Sequence, residues 1–237
     1  MKEDKNMIGI IGAMDVEVDG IKKNIENLKT EEISGIKFCS GKLFGKDIVV
    51  AKSGEGKVNS AMTAQTMILK YNPVFIVNSG VAGGLHPEMR VMDIAIAENV
   101  CEHDFDISPL GYKPGYIPQV ENVEMKCDDG LNIIIEKCAK KICDSKIFKG
   151  TIASGDQFIA SDAQRNKIKN IFGAIAAEME GGSIGHICTL NNTKFTVLRV
   201  ISDNADGSAD MSFEEFAKKA SDISIKIMLD FIKSLQF

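Results

Sequence analysis

The segment from Ala174 to Gly185, AIAAEMEGGSIG, places Glu178 and Glu180 inside a run of apolar and small residues. A buried carboxylate costs several kcal/mol unless a partner compensates its charge, so the fold must bring partners to this segment. Because side chains alternate along a strand, the two carboxylates are expected on one side, where a carboxylate can accept two hydrogen bonds from a sugar diol. The alternative is that both glutamates only begin the next helix, where acidic residues complement the helix dipole.

Short apolar strands alternate with helical segments along the rest of the chain, which predicts an α/β fold with one core. Ile8–Ile11 has the continuous apolar character of a strand buried on both faces of a sheet, and a helix is predicted from Glu17 to Asn27. Further strands are predicted at 37–43, 48–51, 74–78, 93–100, 149–153 and 195–202, and further helices at 58–70 and 129–141, after a cap at Ser161 and after a cap at Ser212.

Polar groups fall where several of these strands end. In open α/β sheets the ligand crevice lies at the carboxyl ends of the strands, and Glu17 follows the first strand while Ser202 and Asp203 end the last. Arg199, inside that last apolar strand, must be paired, most simply with one of the carboxylates already named. The segment Ser79–Gly84 is predicted to be a glycine-rich turn that lets a ligand approach the backbone. The alternative for Glu17 is a solvated position in the first turn of a helix.

Composition excludes several classes of partner. The chain of 237 residues has a formal net charge of -5 and no long basic run, which argues against nucleic acid. No apolar run reaches the roughly 18 residues that a membrane helix needs. Six cysteines without a CxxC pair fit reduced thiols and a cytoplasmic protein. A small-molecule partner is expected.

Three motif-like segments do not support the chemistry they suggest. Residues 53–57, SGEGK, lack the Ser or Thr that a phosphate-binding loop needs, and Asn59 replaces the third Gly of a dinucleotide fingerprint, so no cofactor is predicted. Residues 103–106, HDFD, have no second ligand group at helical spacing, so no metal is predicted either. Residues 181–185, GGSIG, match the nucleophile elbow of esterases, but His186 lies too close on the same helix to act as the base.

Six segments in order, GIIGAMDVEV, SGEGKVN, NSGVAGGL, SGDQFI, AEMEGG and RVISDNAD, resemble the 5'-methylthioadenosine/S-adenosylhomocysteine nucleosidases of the nucleoside phosphorylase superfamily. The resemblance covers nearly the whole chain. It implies a single-domain three-layer αβα sandwich over residues 1–237 with a central mixed sheet, and a homodimer without a cofactor. It also implies that water cleaves the adenine–ribose bond of both nucleosides, and of 5'-deoxyadenosine, in methionine salvage.

The resemblance assigns roles to individual residues. Glu17 matches the base that activates water, Asp203 the acid that protonates adenine, and Glu180 the acceptor for the ribose diol. The remaining substrate contacts expected within the chain are Met14, Ala82, Gly83, Phe158, Ile159, Glu178, Met179, Arg199, Ser202 and Phe213. A neighbouring subunit is expected to close the 5' pocket with Ile107, Leu110 and Pro118.

Two positions depart from the commonest family pattern: Glu55 stands where Ile is usual, and Val81 where Ser often occurs. Glu55 either turns outward, towards Lys57, or meets the ammonium of a homocysteine tail. Two alternatives to a nucleosidase stay open, a purine nucleoside phosphorylase and a non-catalytic nucleoside-binding protein. A phosphorylase would need cationic groups to hold phosphate, whereas the N-terminal segment here carries acidic residues.

Overall fold

A mixed sheet with helices on both sides forms the centre of the protein, in a computed structural model that describes residues 6–203 and 213–236. The strands are β1 (Ile8–Gly12), β2 (Glu26–Ile33), β3 (Ile36–Leu43), β4 (Lys46–Lys52), β5 (Phe75–Gly84), β6 (Ile94–Glu102), β7 (Glu124–Lys126), β8 (Ile147–Ser154), β9 (Ala176–Glu178) and β10 (Lys194–Asp203). The helices are α1 (Asp15–Lys22), α2 (Lys57–Tyr71), α3 (Asp129–Ile142), α4 (Asp162–Phe172), α5 (Gly181–Leu190) and α6 (Phe213–Ser234), with a 3-10 turn at Ser108–Leu110. The predicted αβα sandwich with a mixed sheet is confirmed.

The sheet runs in the order β10-β6-β8-β9-β5-β1-β4-β3-β2, and β10 also pairs with β5. Five strands therefore close into a ring, while β1, β4, β3 and β2 extend the sheet to one side. The central strands β1, β4, β5 and β10 pair in parallel, which brings their carboxyl ends to one edge. That edge carries the site described below.

Two helical layers bury the two faces of the sheet. On one face α6 packs against both α1 and α3, and these helices cover apolar residues such as Ile10, Val77 and Leu198. On the other, α2 and α5 pack together over residues such as Ile11 and Val197. Strands buried on both faces explain the continuous apolar runs in the sequence. No helix within the two described ranges is long and apolar enough to cross a membrane.

The predicted helix from Glu17 to Asn27 is wrong at its carboxyl end. The helix α1 stops at Lys22, and residues 26–33 form β2, an edge strand that the sequence analysis did not predict. Seven of its eight residues are exposed, so ENLKTEEI shows no hydrophobic alternation. Backbone pairing with β3 holds this strand in place.

The predicted glycine-rich turn at Ser79–Gly84 is also wrong, because β5 continues through it to Gly84. Residues in this stretch pair with β10 on one side and with β9 at the end. A glycine is needed at residue 80 for a different reason than a turn: a Cβ there would overlap the Glu17 carboxylate and lie 3.0 Å from Arg199 Nη1. The smaller strand β7 was likewise not predicted, and the expected cap Ser212 lies outside the described residues.

Candidate active site

A cavity of about 200 Å³ opens where six strands end, namely β1, β4, β5, β8, β9 and β10. Each residue that lines it lies at or after the carboxyl end of its strand, as expected for a ligand crevice in an α/β fold. The lining residues are Ala13, Met14, Glu17, Glu55, Val81, Ala82, Gly83, Gln157, Phe158, Ile159, Ala177, Glu178, Met179, Glu180, Ser202 and Asp203. The structure thus brings together most of the site residues predicted from the sequence, although they are spread along the chain from Met14 to Asp203.

Glu17 lies buried at the start of α1, only 5% exposed. Its carboxylate accepts hydrogen bonds from the backbone N–H groups of Ala13 at 2.7 Å, Met14 at 2.9 Å and Val81 at 3.0 Å. Burial raises the pKa of Glu17 above its ordinary value, although the Arg199 guanidinium and the three N–H donors oppose the rise. The alternative of a solvated glutamate in a first helical turn is therefore wrong.

Arg199 is the buried cation beneath the carboxylates, at 1% exposure. Its Nη2 forms an ion pair with Glu178, lies 3.7 Å from Glu180 Oε2, and donates to the Asn78 side chain. The prediction that Arg199 pairs with one of these carboxylates is confirmed. Arg199 does not line the cavity, so the structure does not place it in direct reach of a substrate. It contacts Glu178 and Glu180 instead, and these two carboxyl groups do line the cavity.

Glu178 is held on every side by donors. Besides Arg199 it accepts from Ser154 Oγ and from the backbone N–H groups of Glu180 at 3.1 Å and Gly181 at 2.8 Å. Burial alone would raise the pKa of Glu178, but Arg199 and these donors outweigh it and lower the pKa. The helix-start interpretation thus holds for Glu178, since its carboxylate caps the first N–H groups of α5.

Glu180, two residues on, has fewer partners and faces the cavity. Its Oε1 accepts from the backbone N–H of Gly56 at 2.9 Å, and Arg199 is its nearest cation. Burial, and then the negative charge of Glu178, raise the pKa of Glu180 to about 8. A carboxyl group in this position can exchange hydrogen bonds with a hydroxyl pair.

Asp203 ends β10 at the same cavity and is 8% exposed. Ser202 Oγ donates to Asp203 Oδ2 at 2.9 Å. The end of β10 therefore presents a buried carboxyl group to the cavity, with the Ser202 hydroxyl fixing its orientation. Such a group can transfer a proton to a ligand atom within reach.

The upper wall of the cavity comes from residues 157–159, which follow β8. Phe158 is 51% exposed, whereas Ile159 is buried. Gln157 also lines the cavity, as do Ala13 and Ala177, and the sequence analysis did not select these three. Each adjoins a residue that it did select, so the motifs SGDQFI, GIIGAMDVEV and AEMEGG already contained them.

Several predicted residues fall elsewhere. Ile107, Leu110 and Pro118 lie in the connection 103–123. None of the three lines the cavity that the described residues of a single chain form, and Leu110 is 75% exposed. The side chain of Phe213 lies outside the described residues. Glu55 lines the cavity but does not pair with Lys57, whose Nζ instead binds Glu102 and Asp104.

Metal and esterase chemistry find no support in the geometry of the described residues. No group of three or more His, Cys, Asp or Glu among residues 6–203 and 213–236 could hold a metal ion. Ser183 is 4% exposed, and its Oγ is engaged by Ser60 Oγ at 2.7 Å and by the carbonyl of Glu180 at 2.8 Å. It does not line the cavity.

Comparison with known proteins agrees with this geometry. Residues 7–233 match the model of the phosphorylase superfamily. The 5'-methylthioadenosine/S-adenosylhomocysteine nucleosidase of Staphylococcus haemolyticus is 42% identical over 231 residues, 97% of this chain and 100% of the relative. The crystal structure of the nucleosidase of the same name from Neisseria meningitidis, in complex with methylthio-immucillin-A, superposes with a TM-score of 0.93 at 33% identity and covers 97% of this chain and 100% of that one. A futalosine hydrolase of Helicobacter pylori superposes with a TM-score of 0.92 at 34% identity, over 97% and 98% of the two chains.

Proposed function

The chain belongs to the phosphorylase superfamily and, within it, to the 5'-methylthioadenosine/S-adenosylhomocysteine nucleosidases, and on this basis we propose that it is a hydrolase of these two nucleosides. It cleaves the N-glycosidic bond and gives adenine and the 5'-thioribose product. One observation carries the proposal: Glu17, Glu180 and Asp203, far apart in sequence, line one cavity. 5'-Deoxyadenosine is proposed as a further substrate.

In the proposed reaction Asp203 gives its proton to the imidazole-ring nitrogen of adenine, which leaves with the electrons of the glycosidic bond. The ribose becomes oxocarbenium-like, and a water molecule attacks the anomeric carbon while Glu17 takes its proton. Burial supports this role for Glu17, because a carboxylate with a raised pKa is a stronger base. The acidic groups Glu17, Glu178 and Glu180 surround the cation Arg199, and Glu17 in its ionised form favours the positive charge that develops on the ribose.

The resemblance to the family supports a set of substrate contacts. We assign the ribose hydroxyls to Glu180, with Met179 packing on the sugar. Phe158 stacks on the adenine ring, and backbone groups near Ile159 contact the edge of the base. Ala82 and Gly83 line the sugar and base, and Met14 lies on the side of the 5' group.

A homodimer would complete the 5' pocket with Ile107, Leu110 and Pro118 of a second subunit. The exposure of large apolar residues supports this part of the proposal, since Leu110 is 75%, Tyr112 45% and Val58 77% exposed. Large apolar side chains exposed in this way are available for contact with a second subunit.

The remaining proposals concern organisation and setting: one domain over residues 1–237, in the cytoplasm, serving methionine salvage. The family match over residues 7–233 supports one domain. Six unpaired cysteines, five of them buried, support a reducing compartment. The proposed thioribose product supports the role in salvage.

The cavity supports a phosphorylase less well than a hydrolase. Phosphate needs cations or several N–H donors, and no Lys or Arg lines the cavity in the described part of the chain. The non-catalytic alternative has no observation in its favour, since a buried acid and a buried base are both present.

Adenine release from 5'-methylthioadenosine and S-adenosylhomocysteine, with and without phosphate, tests the proposal. We expect release at the same rate in both buffers, and an absolute phosphate requirement would contradict hydrolysis. Tight binding of an adenosine analogue with no base release would support the non-catalytic alternative. Futalosine joins the substrate panel because of the Helicobacter pylori neighbour.

A further inference from the structure

Lys57 begins α2 and turns its side chain away from the cavity. Its Nζ donates to Asp104 Oδ1 at 2.6 Å and to Glu102 Oε2 at 3.0 Å. The side chains of Lys57 and Asp104 are 16% and 21% exposed, so solvent screens their ion pair only in part. Burial alone would lower the pKa of Lys57, but the hydrogen bonds to Asp104 and Glu102 outweigh it and raise the pKa.

Asp104 and Lys57 are both joined to Asp156, which closes a triangle of contacts. Asp104 Oδ2 accepts from the backbone N–H of Asp156 at 2.8 Å, and Asp156 Oδ1 accepts from the backbone N–H of Lys57 at 2.7 Å. Asp156 directly precedes residues 157–159, which form the upper wall of the cavity. The triangle of Lys57, Asp104 and Asp156 thus fixes where that wall begins.

The triangle reaches the opposite side of the cavity through Gly56. The backbone N–H of Gly56 donates to Glu180 Oε1 at 2.9 Å, one residue before the Lys57 N–H that binds Asp156. Gly56 has a φ of +93°, which disfavours any side chain, and a Cβ there would lie 3.0 Å from Asp156 Oδ1. The turn is therefore packed closely between Glu180 and Asp156.

We propose that the triangle of Lys57, Asp104 and Asp156 is a positioning device that sets the distance between Glu180 and residues 157–159. None of these three side chains lines the cavity formed by the described residues, so each acts through its neighbours. The inference rests on the proposed function, in which Glu180 holds the ribose and residues 157–159 hold the base. A nucleoside bound at its ribose and at its base reacts only if these two sets of contacts are correctly spaced. A displacement of about 1 Å can lower the rate by about 100-fold.

Two variants remove the triangle in different ways. Lys57→Met removes the cation, and Asp156→Ala removes an exposed side chain without leaving a buried charge unpaired, so Asp156→Ala tests the inference even if Lys57→Met does not fold. We expect kcat/KM for adenine release to fall by about 10- to 100-fold in both. Lys70→Met is the control, since Lys70 pairs with Glu31 at 2.7 Å on the surface with both side chains 48% exposed, and it should leave kcat/KM unchanged.

Lys57→Arg keeps the charge and is expected to retain more activity than Lys57→Met, because a guanidinium can still bind the Asp104 carboxylate. Equal losses in these two variants would contradict a role for the charge. Melting temperatures of all variants show whether a loss of activity merely follows a loss of folding.

A double-mutant cycle of Asp156→Ala with Glu180→Ala separates positioning from a general structural effect. If Asp156 acts by positioning Glu180 against the ribose, the loss of kcat/KM in the double variant should be clearly smaller than the product of the two single losses. Multiplicative losses, or wild-type kcat/KM in both Asp156→Ala and Lys57→Met, would overturn the inference. Absence of adenine release by the wild-type protein would instead refute the proposed function.

Discussion

The floor and the rim of the cavity differ in how completely one chain determines them. At the floor, Glu17 and Glu178 are buried and accept hydrogen bonds from β5, β8, β10 and the starts of α1 and α5, and Arg199 forms an ion pair with Glu178. At the rim, Glu55 and Phe158 are exposed, and the neighbouring connection 103–123 presents Leu110 to solvent. The floor is fixed by sheet topology, because Glu178 and Arg199 lie on paired strands and Glu17 begins the helix that directly follows β1. The rim depends on what binds there, a substrate or a second subunit.

The difference also separates chemistry from selectivity. Charges at the floor act in a buried environment where each interaction is strong, whereas charges at the rim are screened by water. Substitutions at the floor should therefore have large effects on the reaction and on folding. Substitutions at the rim should shift the choice of substrate by small factors.

The largest effect is expected for Asp203→Asn, which removes the proposed acid. Loss of a positioned acid costs about 10²–10⁴-fold, so kcat for adenine release should fall by that range while the nucleoside still binds. Glu17→Gln should block the chemistry in the same way. Steady-state kinetics and calorimetric binding of 5'-methylthioadenosine check both. Turnover above about a tenth of the wild-type rate in Asp203→Asn would show that the acid is another group.

Arg199→Met tests how far folding depends on the floor. It would leave Glu178 and its neighbours without their cation, and breaking a buried ion pair on one side costs about 3–5 kcal/mol. Urea unfolding should show a loss of that size. The matched control is Arg165→Met, whose partner Asp162 lies 3.7 Å away with its side chain 75% exposed, and which should change the free energy of unfolding by under about 1 kcal/mol. Equal losses in the two variants would contradict the distinction between the fully buried Arg199 and the partly exposed Arg165.

The pH dependence of stability sharpens the same distinction within the floor. The pKa of Glu180 is raised to about 8 in the folded protein from an ordinary value of 4.5, so the folded state holds this proton more tightly than the unfolded state. The stabilisation is complete below the ordinary pKa and is lost as pH rises through the folded value. Each pH unit between these two pKa values can lower the free energy of unfolding by up to about 1.4 kcal/mol. Because Glu178, Arg199 and Glu17 interact with Glu180, the titration belongs to the whole group of residues.

Glu180→Gln provides the comparison, because an amide cannot titrate. Its free energy of unfolding, measured from pH 5 to pH 8, should fall less steeply than that of the wild type. Parallel curves would show that Glu180 is ionised throughout this range. The Glu178→Gln variant should flatten the curve only in part, because it removes the negative charge that adds to burial in raising the pKa of Glu180 but leaves the burial.

The floor was more predictable from the sequence than the strands that carry it. A carboxylate or guanidinium in an apolar run must be paired wherever it folds, so a carboxylate partner for Arg199 was predictable from burial, and the structure identifies that partner as Glu178. The extent of β5 did not, since glycines at residues 80, 83 and 84 predict a turn locally. Pairing with β10 and β9 overrides that local preference, and it depends on contacts distant in sequence.

Edges and outer surfaces were less predictable. The strand β2 carries polar side chains with no buried face, so no periodicity marks it. At the rim, the sequence suggested Lys57 as a partner for Glu55, yet Lys57 binds Asp104 across 47 residues of chain. The alternatives for an exposed side chain are close in energy, and a sequence does not rank them.

The smallest effect is expected for Glu55→Ile at the rim. Glu55 lines the cavity, yet it is exposed, and its neighbour Lys52 donates to Asp15 Oδ2 at 2.7 Å. The Glu55 carboxylate could therefore meet the ammonium of a homocysteine tail, and an exposed ion pair contributes at most about 1 kcal/mol. The ratio of kcat/KM for methylthioadenosine over S-adenosylhomocysteine should then rise by up to about fivefold in Glu55→Ile. Glu55→Gln separates charge from shape, because it should shift the ratio similarly if the charge reads the tail. An unchanged ratio in both variants would make Glu55 a solvated side chain, and selectivity would then depend on the apolar groups that close the 5' pocket.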